Sequence, residues 1–115
     1  MKNKIGDKER LGHIPDSINF IEQSMQNVNE EEFQKNFILH TAVQKWFEII
    51  GEASYQITKE YKQANAVVEW KGIEGLRHIL VHDYFGVDLL KIWEFYKQLL
   101  PELKSEIIKL FKDFK

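Results

Sequence analysis

The 115-residue sequence contains no cysteine, only two prolines and only two arginines. Without cysteine, the chain can form neither disulfides nor thiolate metal sites, and this composition suits a reducing compartment. No apolar run approaches the roughly 18 residues needed to cross a bilayer, and the charged start leads into no apolar stretch typical of a signal peptide. We therefore expect a cytoplasmic protein that has no membrane segment.

The sequence also lacks an excess of positive charge. Its net charge is −2 and its pI is near 6.1, whereas a domain dedicated to coating nucleic acid has a pI above about 9. Any contact with nucleic acid must therefore be local. Since arginine is scarce, Arg77, which lies within an apolar segment, is either a packing residue that extends its charge to water or part of a site.

Length and periodicity indicate a helical domain. A chain of this size, with 43% hydrophobic residues, is large enough to bury a core as one domain over residues 1–115. Proline is confined to positions 15 and 101, and the β-branched residues show no period-two alternation, so strands are not indicated. We predict an all-α, up-and-down bundle of four to five helices.

The first half of the chain contains three helix signals. Apolar residues recur every three or four positions and predict a first helix over about residues 8–26, in which Pro15 is either tolerated or produces a kink. Asn29 and the glutamates that follow it have the pattern of an N-cap with a capping box, so a second helix should start at Glu30. After a bend near Asn36, the longest stripe predicts a central core helix that runs to about residue 61.

The second half predicts a helix over about residues 70–84. Gly86 is a natural terminator of that helix, and Asp88 is a natural N-cap for the next one. An apolar stripe from Leu89 through Trp93 to Phe114 then predicts a helical stretch that Pro101 breaks or kinks.

Two small residues flank an acid in Gly51-Glu52-Ala53. Glycine inside a helix costs about 1 kcal/mol relative to alanine, so we expect another helix to pack closely against Gly51. Glu52 is then either an exposed helix residue or a carboxylate that orients a group in an adjacent site.

The candidate chemistry lies within residues 77–84, which contain Arg77, His78, His82, Asp83 and Tyr84. On a helix, with about 100° per residue, His78 and His82 lie on one face, but Arg77 and His82 point about 140° apart. The pair could work together if the helix ends near His82, or if a twofold partner brings a second copy of the segment opposite the first.

Three interpretations of this segment are open. In the first, the segment is a helix end that merely packs, with Asp83 on the surface. In the second, it is a metal site, since His78 and His82 have the i, i+4 spacing of zinc-binding helices but lack an evident third ligand. In the third, it is a site for metal-free phosphodiester chemistry. Histidine can transfer protons near neutral pH, and arginine presents a fork of donors that matches phosphate oxygens.

The pattern Arg77-x4-His82-x-Tyr84, preceded by Gly75-Leu76 and followed by Phe85-Gly86-Val87-Asp88, resembles the signature of HepT-type HEPN domains, the toxin partners of minimal nucleotidyltransferase antitoxins. Three further segments resemble family landmarks in the same order, so the resemblance covers nearly the whole chain: Ile49-Ile50-Gly51-Glu52-Ala53, Trp70 and Leu100-Pro101-Glu102-Leu103. The chain departs from the family pattern at His78, where asparagine is usual, and at Glu69, where proline is usual.

The resemblance implies an all-α HEPN-like bundle that forms a homodimer, with the two motifs facing each other. It also implies a metal-independent endoribonuclease that uses no cofactor. Arg77 and His82 would form its active site, and Tyr84 would accept AMP from the cognate nucleotidyltransferase. Glu52, His78 and Asp83 would support the site.

Two rival hypotheses remain at this point. The mild acidity of the chain favours a non-catalytic helical module that docks a nucleotidyltransferase and contacts RNA only incidentally. The two histidines of the motif keep open a metal-binding regulator.

Overall fold

The structure, a computed structural model, describes residues 6–82 and 88–114, without the side chains of residues 81 and 82. Predictions that concern Asp83, Tyr84 and Gly86 therefore lie outside the described residues. All regular structure in the described ranges is helical: α1 (Asp7–Ser24), α2 (Glu30–Lys35), α3 (Phe37–Gln56), α4 (Lys59–Ala64), α5 (Trp70–His82), α6 (Leu89–Glu94), a π-helical segment (Phe95–Leu99) and α7 (Leu100–Asp113). This confirms the predicted all-α class. In these ranges, none of the helices is both long and apolar enough to cross a bilayer.

The long helices pack side by side in alternating directions, as the sequence predicted. α1 packs on α3 and α7, and α3 also packs on α5. Contacts near the helix ends show that each of these pairs is antiparallel: Asp7 with Thr58, Gly12 with Phe111, Glu22 with Lys104, Gly51 with Arg77, and Ser54 and Glu74 with Lys62. α1, α3, α5 and the C-terminal helical stretch thus form the bundle, and the short α2 and α4 lie at its ends.

The core lies where the predicted apolar stripes meet. Phe33 and Phe47 are the largest of its fully buried side chains, and burying side chains of this size is the main source of stability for a helical bundle. Each of the long helices contributes buried aliphatic residues: Leu11, Ile14, Ile18 and Ile21; Val43 and Ile50; Ile73, Leu76 and Leu80; Leu100, Leu103 and Ile107.

The start of α2 confirms the predicted capping box. The Asn29 side chain accepts a hydrogen bond from the Glu32 amide at 2.8 Å, and the Glu32 carboxylate accepts one from the Asn29 amide at 2.9 Å. The bend expected near Asn36 is an interruption between two helices, because the Asn36 side chain accepts a hydrogen bond from the Leu39 amide at 3.0 Å and so caps α3.

The prediction that the central helix reaches about Tyr61 is wrong. α3 ends at Gln56, and Thr58 caps a separate helix, α4. The carboxylate of Asp7 holds this boundary, since it accepts hydrogen bonds from the Thr58 amide at 2.9 Å and the Thr58 hydroxyl at 2.6 Å. The two residues are 51 positions apart in the chain, so local periodicity cannot predict their contact.

Asp7→Ala is expected to lower the free energy of unfolding by about 1–2 kcal/mol, because it removes two hydrogen bonds to a carboxylate that joins α1 to α4. Urea denaturation followed by circular dichroism measures the change. Asp16→Ala, at an exposed aspartate of the same helix, is the matched control, and an equal loss in both variants would contradict the prediction.

The C-terminal stretch starts as predicted but is interrupted differently. The Asp88 side chain caps α6 by accepting a hydrogen bond from the Leu90 amide at 3.0 Å. Pro101 lies in the first turn of α7, and the break or kink expected there is instead the π-helical segment that precedes it, in which the Leu100 amide donates to the Phe95 carbonyl. The extra residue of a π turn rotates α6 by about 100° relative to α7.

This rotation changes which residues of the predicted stripe are buried. Ile92, which the predicted stripe did not include, is fully buried. Trp93, which the predicted stripe did include, is only half-buried. The stripe holds as predicted from Leu100 onward, where the helix is an uninterrupted α-helix.

Candidate active site

The site is built where α5 crosses α3 at Gly51. A Cβ atom placed on Gly51 would lie 2.8 Å from the Arg77 backbone nitrogen and 3.0 Å from the Arg77 Cβ. Only glycine permits this approach without a shift of the backbone. The predicted close packing at Gly51 is therefore confirmed, and it brings Arg77 directly over α3.

The Arg77 side chain is held by two residues of α3. Its Nε donates a hydrogen bond to Oε1 of Glu52. Its guanidinium carbon lies 4.5 Å from the centre of the Tyr55 ring, within the range of a cation–π contact. The Arg77 side chain is nevertheless 35% exposed, so it is both oriented by its neighbours and open to solvent.

Glu52 is engaged on both carboxylate oxygens. While Oε1 accepts from Arg77, Oε2 accepts from the Gln56 side-chain amide at 3.0 Å. The hydrogen bond from Arg77, and next the one from Gln56, lower the pKa of Glu52 below its ordinary value. The Glu52 side chain is 47% exposed and is the hydrogen-bond partner of Arg77; its role in supporting an active site stays a prediction.

Glu52→Gln is expected to destabilise the fold in a pH-dependent way. Because the folded state lowers the pKa of Glu52 from 4.5, the ionised carboxylate stabilises the fold above that pH, and this contribution is lost as the pH falls through the lowered pKa. The difference in free energy of unfolding between wild type and variant should therefore shrink below about pH 4.5. Urea denaturation from pH 3 to pH 7 measures it, and a difference that stays constant would contradict the assignment.

The structure places the other predicted residues only in part. His78 is exposed on α5, and His82 is the last residue of that helix in the described range. The side chain of His82 and the whole of Asp83 and Tyr84 lie outside the described residues. Whether Arg77 and His82 face a shared cleft therefore stays a prediction.

Sequence reasoning missed Tyr55 as a neighbour of Arg77. The signal was present, because Tyr55 follows Glu52 by three positions and residues at i and i+3 lie on the same helix face. Tyr55 was therefore predictable as a second contact for any side chain that Glu52 binds.

A metal cluster is not evident in the part of the chain that the structure describes. No group of three His, Asp or Glu side chains lies close enough there to hold a metal ion. Because the side chain of His82 is not described, the metal site through His78 and His82 is untested and stays a prediction.

Comparison with known proteins identifies the family. The model of the family described as ribonuclease HepT-like matches residues 14–110. The chain belongs to the HepT-like ribonuclease family. The resemblance read from Arg77, His82 and the accompanying landmarks is thereby confirmed at the level of the family, and the matched range contains Gly51, Glu52 and Arg77.

Relatives of this HepT-like chain carry ribonuclease names. A Thermococcus cleftensis protein named as a probable ribonuclease HepT is 34% identical over 109 residues, covering 95% of this chain and 99% of that protein. A Methanocaldococcus jannaschii protein provisionally named as an RNase is 39% identical over 103 residues, covering 90% of this chain and 82% of that protein.

A second protein from Methanocaldococcus jannaschii combines the name gamma-glutamylcyclotransferase with a provisional RNase name. It is 38% identical over 103 residues, and the matched part is 90% of this HepT-like chain but only 46% of that protein. No solved structure matches the chain significantly.

Proposed function

We propose that this HepT-like chain is an endoribonuclease that cleaves RNA without a metal ion, with Arg77 and His82 in its active site. The observation that carries the proposal is the orientation of Arg77 between Glu52 and Tyr55. Family membership and the ribonuclease names of its relatives support it.

The chemistry assigns a separate task to each residue. Since Nε of Arg77 bonds to Glu52, its terminal amino groups are the ones offered to a phosphate, where they stabilise the charge that develops on the non-bridging oxygens. The RNA 2′-hydroxyl attacks the phosphorus and loses its proton to a base. The bond to the 5′-oxygen breaks, that oxygen receives a proton, and the products are a 2′,3′-cyclic phosphate and a 5′-hydroxyl.

His82 is the residue proposed for these proton transfers, since imidazole titrates near pH 6.5. One histidine cannot easily serve both sides of the phosphate at once. A homodimer that places a second copy of residues 77–84 opposite the first supplies one imidazole for each proton transfer. It also lets Arg77 of one protomer act with His82 of its partner, although the two residues point about 140° apart on one helix.

We further propose that the enzyme is a toxin that a minimal nucleotidyltransferase neutralises by transferring AMP to Tyr84. Attaching AMP to the phenol adds a phosphodiester charge seven positions along the chain from Arg77. That charge can occupy the place of the substrate phosphate. The proposal follows from the family resemblance of the Arg77-x4-His82-x-Tyr84 pattern.

The direct test is to incubate the purified chain with RNA in excess chelator and to analyse the product ends. Cleavage that leaves cyclic phosphates supports the proposal, and absence of cleavage by the wild type overturns it.

To test the modification of Tyr84, the chain is incubated with a minimal nucleotidyltransferase and ATP. A mass gain of one AMP in the wild type, absent from Tyr84→Phe, is expected.

The net charge of −2 favours a second candidate function, in which the chain is a non-catalytic module that docks a nucleotidyltransferase. His82→Ala separates the two functions in cells that carry the partner. If the variant is no longer toxic but still binds the nucleotidyltransferase, the docking module is excluded as the basis of toxicity.

A further inference from the structure

Tyr55 lies on α3 with its ring against Arg77 and about half of its surface open to solvent. The Arg77 guanidinium carbon lies over one face of the ring, 4.5 Å from its centre, and the residue is 52% exposed. Single exposed aromatic residues are common on protein surfaces, so exposure alone indicates no site. The feature that distinguishes Tyr55 is its contact with the arginine proposed to bind the scissile phosphate.

The second face of the Tyr55 ring is open to a ligand. Arg77 covers one face and the Cβ end of the side chain is attached to α3, so an exposed fraction of 52% comes largely from the other face and the hydroxyl edge. A flat ring can stack on that face. An RNA strand supplies such rings, since every nucleobase has a π-face and unpaired bases stack readily on aromatic side chains.

Arg77 can hold a phosphate and stay on Tyr55 at the same time. The guanidinium is planar, so its hydrogen-bond donors point outward in the plane while its face stacks on a ring. A base on the open face of Tyr55 would lie about 3.5–4 Å beyond the ring, and therefore about 8 Å from the guanidinium carbon. One ribose links each phosphate to its base, so a base this close belongs to a nucleotide that flanks the phosphate on Arg77.

We propose that Tyr55 is a base-stacking residue, which binds the unpaired base of a nucleotide that flanks the scissile phosphate. The inference rests on the proposed ribonuclease function, because that function brings an RNA strand to Arg77. Aromatic stacking tolerates every base, so this contact would position the strand without selecting a sequence. It also adds affinity that needs no positive charge, which suits a chain with a net charge of −2.

A cycle of one protein change and one RNA change tests the stack. The probes are an oligouridine of about ten nucleotides with a methyl group on every 2′-oxygen, so that it cannot be cleaved, and the same strand without its bases. Removal of the bases should weaken binding to the wild type by about 5–150-fold, the contribution of one stacked base. Tyr55→Leu should bind the complete strand more weakly by a similar factor and should not distinguish the two strands.

The comparison of the two strands separates a stacked base from an indirect effect through Arg77. Loss of the Tyr55 ring also releases the Arg77 side chain, but a displaced Arg77 would weaken contact with the phosphates of both strands by the same factor. Equal losses on the two strands would therefore show that the stack is wrong. Tyr55→Phe keeps the ring and removes only the hydroxyl, so it should restore the preference for the complete strand.

Phe37→Leu is the matched control. Phe37 is a 72% exposed aromatic residue of the same helix, and it lies about 27 Å from Tyr55 along α3. This variant should bind both strands like the wild type. Fluorescence anisotropy gives the Kd values, circular dichroism verifies folding, and sedimentation equilibrium gives the oligomeric state. If Tyr55→Leu dissociates an oligomer that the wild type forms, the ring packs against a second protomer and the proposal is wrong.

Cleavage of unmodified single-stranded RNA provides an independent readout. Binding energy that acts equally on the ground state and the transition state changes KM and not kcat, so Tyr55→Leu should raise KM by about 5–150-fold and leave kcat nearly constant. If the wild type cleaves RNA but the loss in Tyr55→Leu lies in kcat and does not depend on the bases, the stack is wrong and the proposed function stands. If the wild type neither binds nor cleaves RNA, both are wrong.

Discussion

His82→Ala is expected to lower kcat/KM for RNA cleavage in excess chelator by about 10²–10⁴-fold, the contribution of a positioned general acid or base. The loss should be this large because the proposed reaction moves two protons and the chain contains no cysteine that could replace an imidazole. Arg77 would still bind the phosphate, so the main loss should be in kcat. A fluorogenic RNA substrate with a fluorophore and a quencher at its ends measures both constants.

His40→Gln is the control matched in residue type. His40 lies twelve residues before Glu52 on α3, a distance of about 18 Å along the helix, and its ring packs against Phe33 and Phe37. The control should therefore cleave RNA like the wild type. If circular dichroism shows that the His82→Ala variant is folded and the variant cleaves RNA at the wild-type rate, His82 is not an active-site residue.

The second large effect is expected at Gly51. Gly51→Val should lower the free energy of unfolding by about 3 kcal/mol, the upper end of the usual range for overpacking. The new side chain would meet the Arg77 backbone, which lies 2.8 Å from the position of its Cβ and cannot turn away as a flexible side chain would. Because α5 must move, the Nε hydrogen bond of Arg77 to Glu52 should also be lost, and cleavage should fall with stability.

Gly75 provides the control for a change of the same type. A Cβ on Gly75 of α5 would have no atom of residues 6–82 or 88–114 within 4 Å, so Gly75→Ala should stabilise the protein by up to about 1 kcal/mol through helix propensity. Gly51→Ala has the same gain in propensity but an obstructed Cβ, so it should be destabilising. Urea denaturation of the two alanine variants compares them directly. Similar stability changes in both would show that α5 does not depend on glycine at position 51.

Features that depend on nearby residues were predictable from the sequence. The capping box at Asn29 and Glu32 and the N-cap at Asp88 are decided within three residues, and both form as predicted. The close approach at Gly51 was predictable because an interior glycine is costly unless packing requires it. The stripe-based core was equally accessible, since helical periodicity selects the side chains that face inward.

The remaining features depend on contacts between distant residues. The boundary between α3 and α4 depends on Asp7, and no pattern around Thr58 reveals a partner in another helix. The same holds for Arg10, whose proximity to Glu52 arises only when α1 packs on α3. The π-helical segment was also missed, because a single extra residue leaves the apolar spacing from Leu100 onward intact and changes only which residue of α6 faces the core.

The π-helical segment Phe95–Leu99 also affects how this chain should be aligned with its relatives. A relative that has one residue fewer between Ile92 and Leu100 could present the same buried face on an uninterrupted α-helix, since removing the extra residue of a π turn restores the α-helical phase. The single-residue gap between two such chains therefore belongs within this segment. A gap placed elsewhere would pair buried positions of one helix with exposed positions of the other.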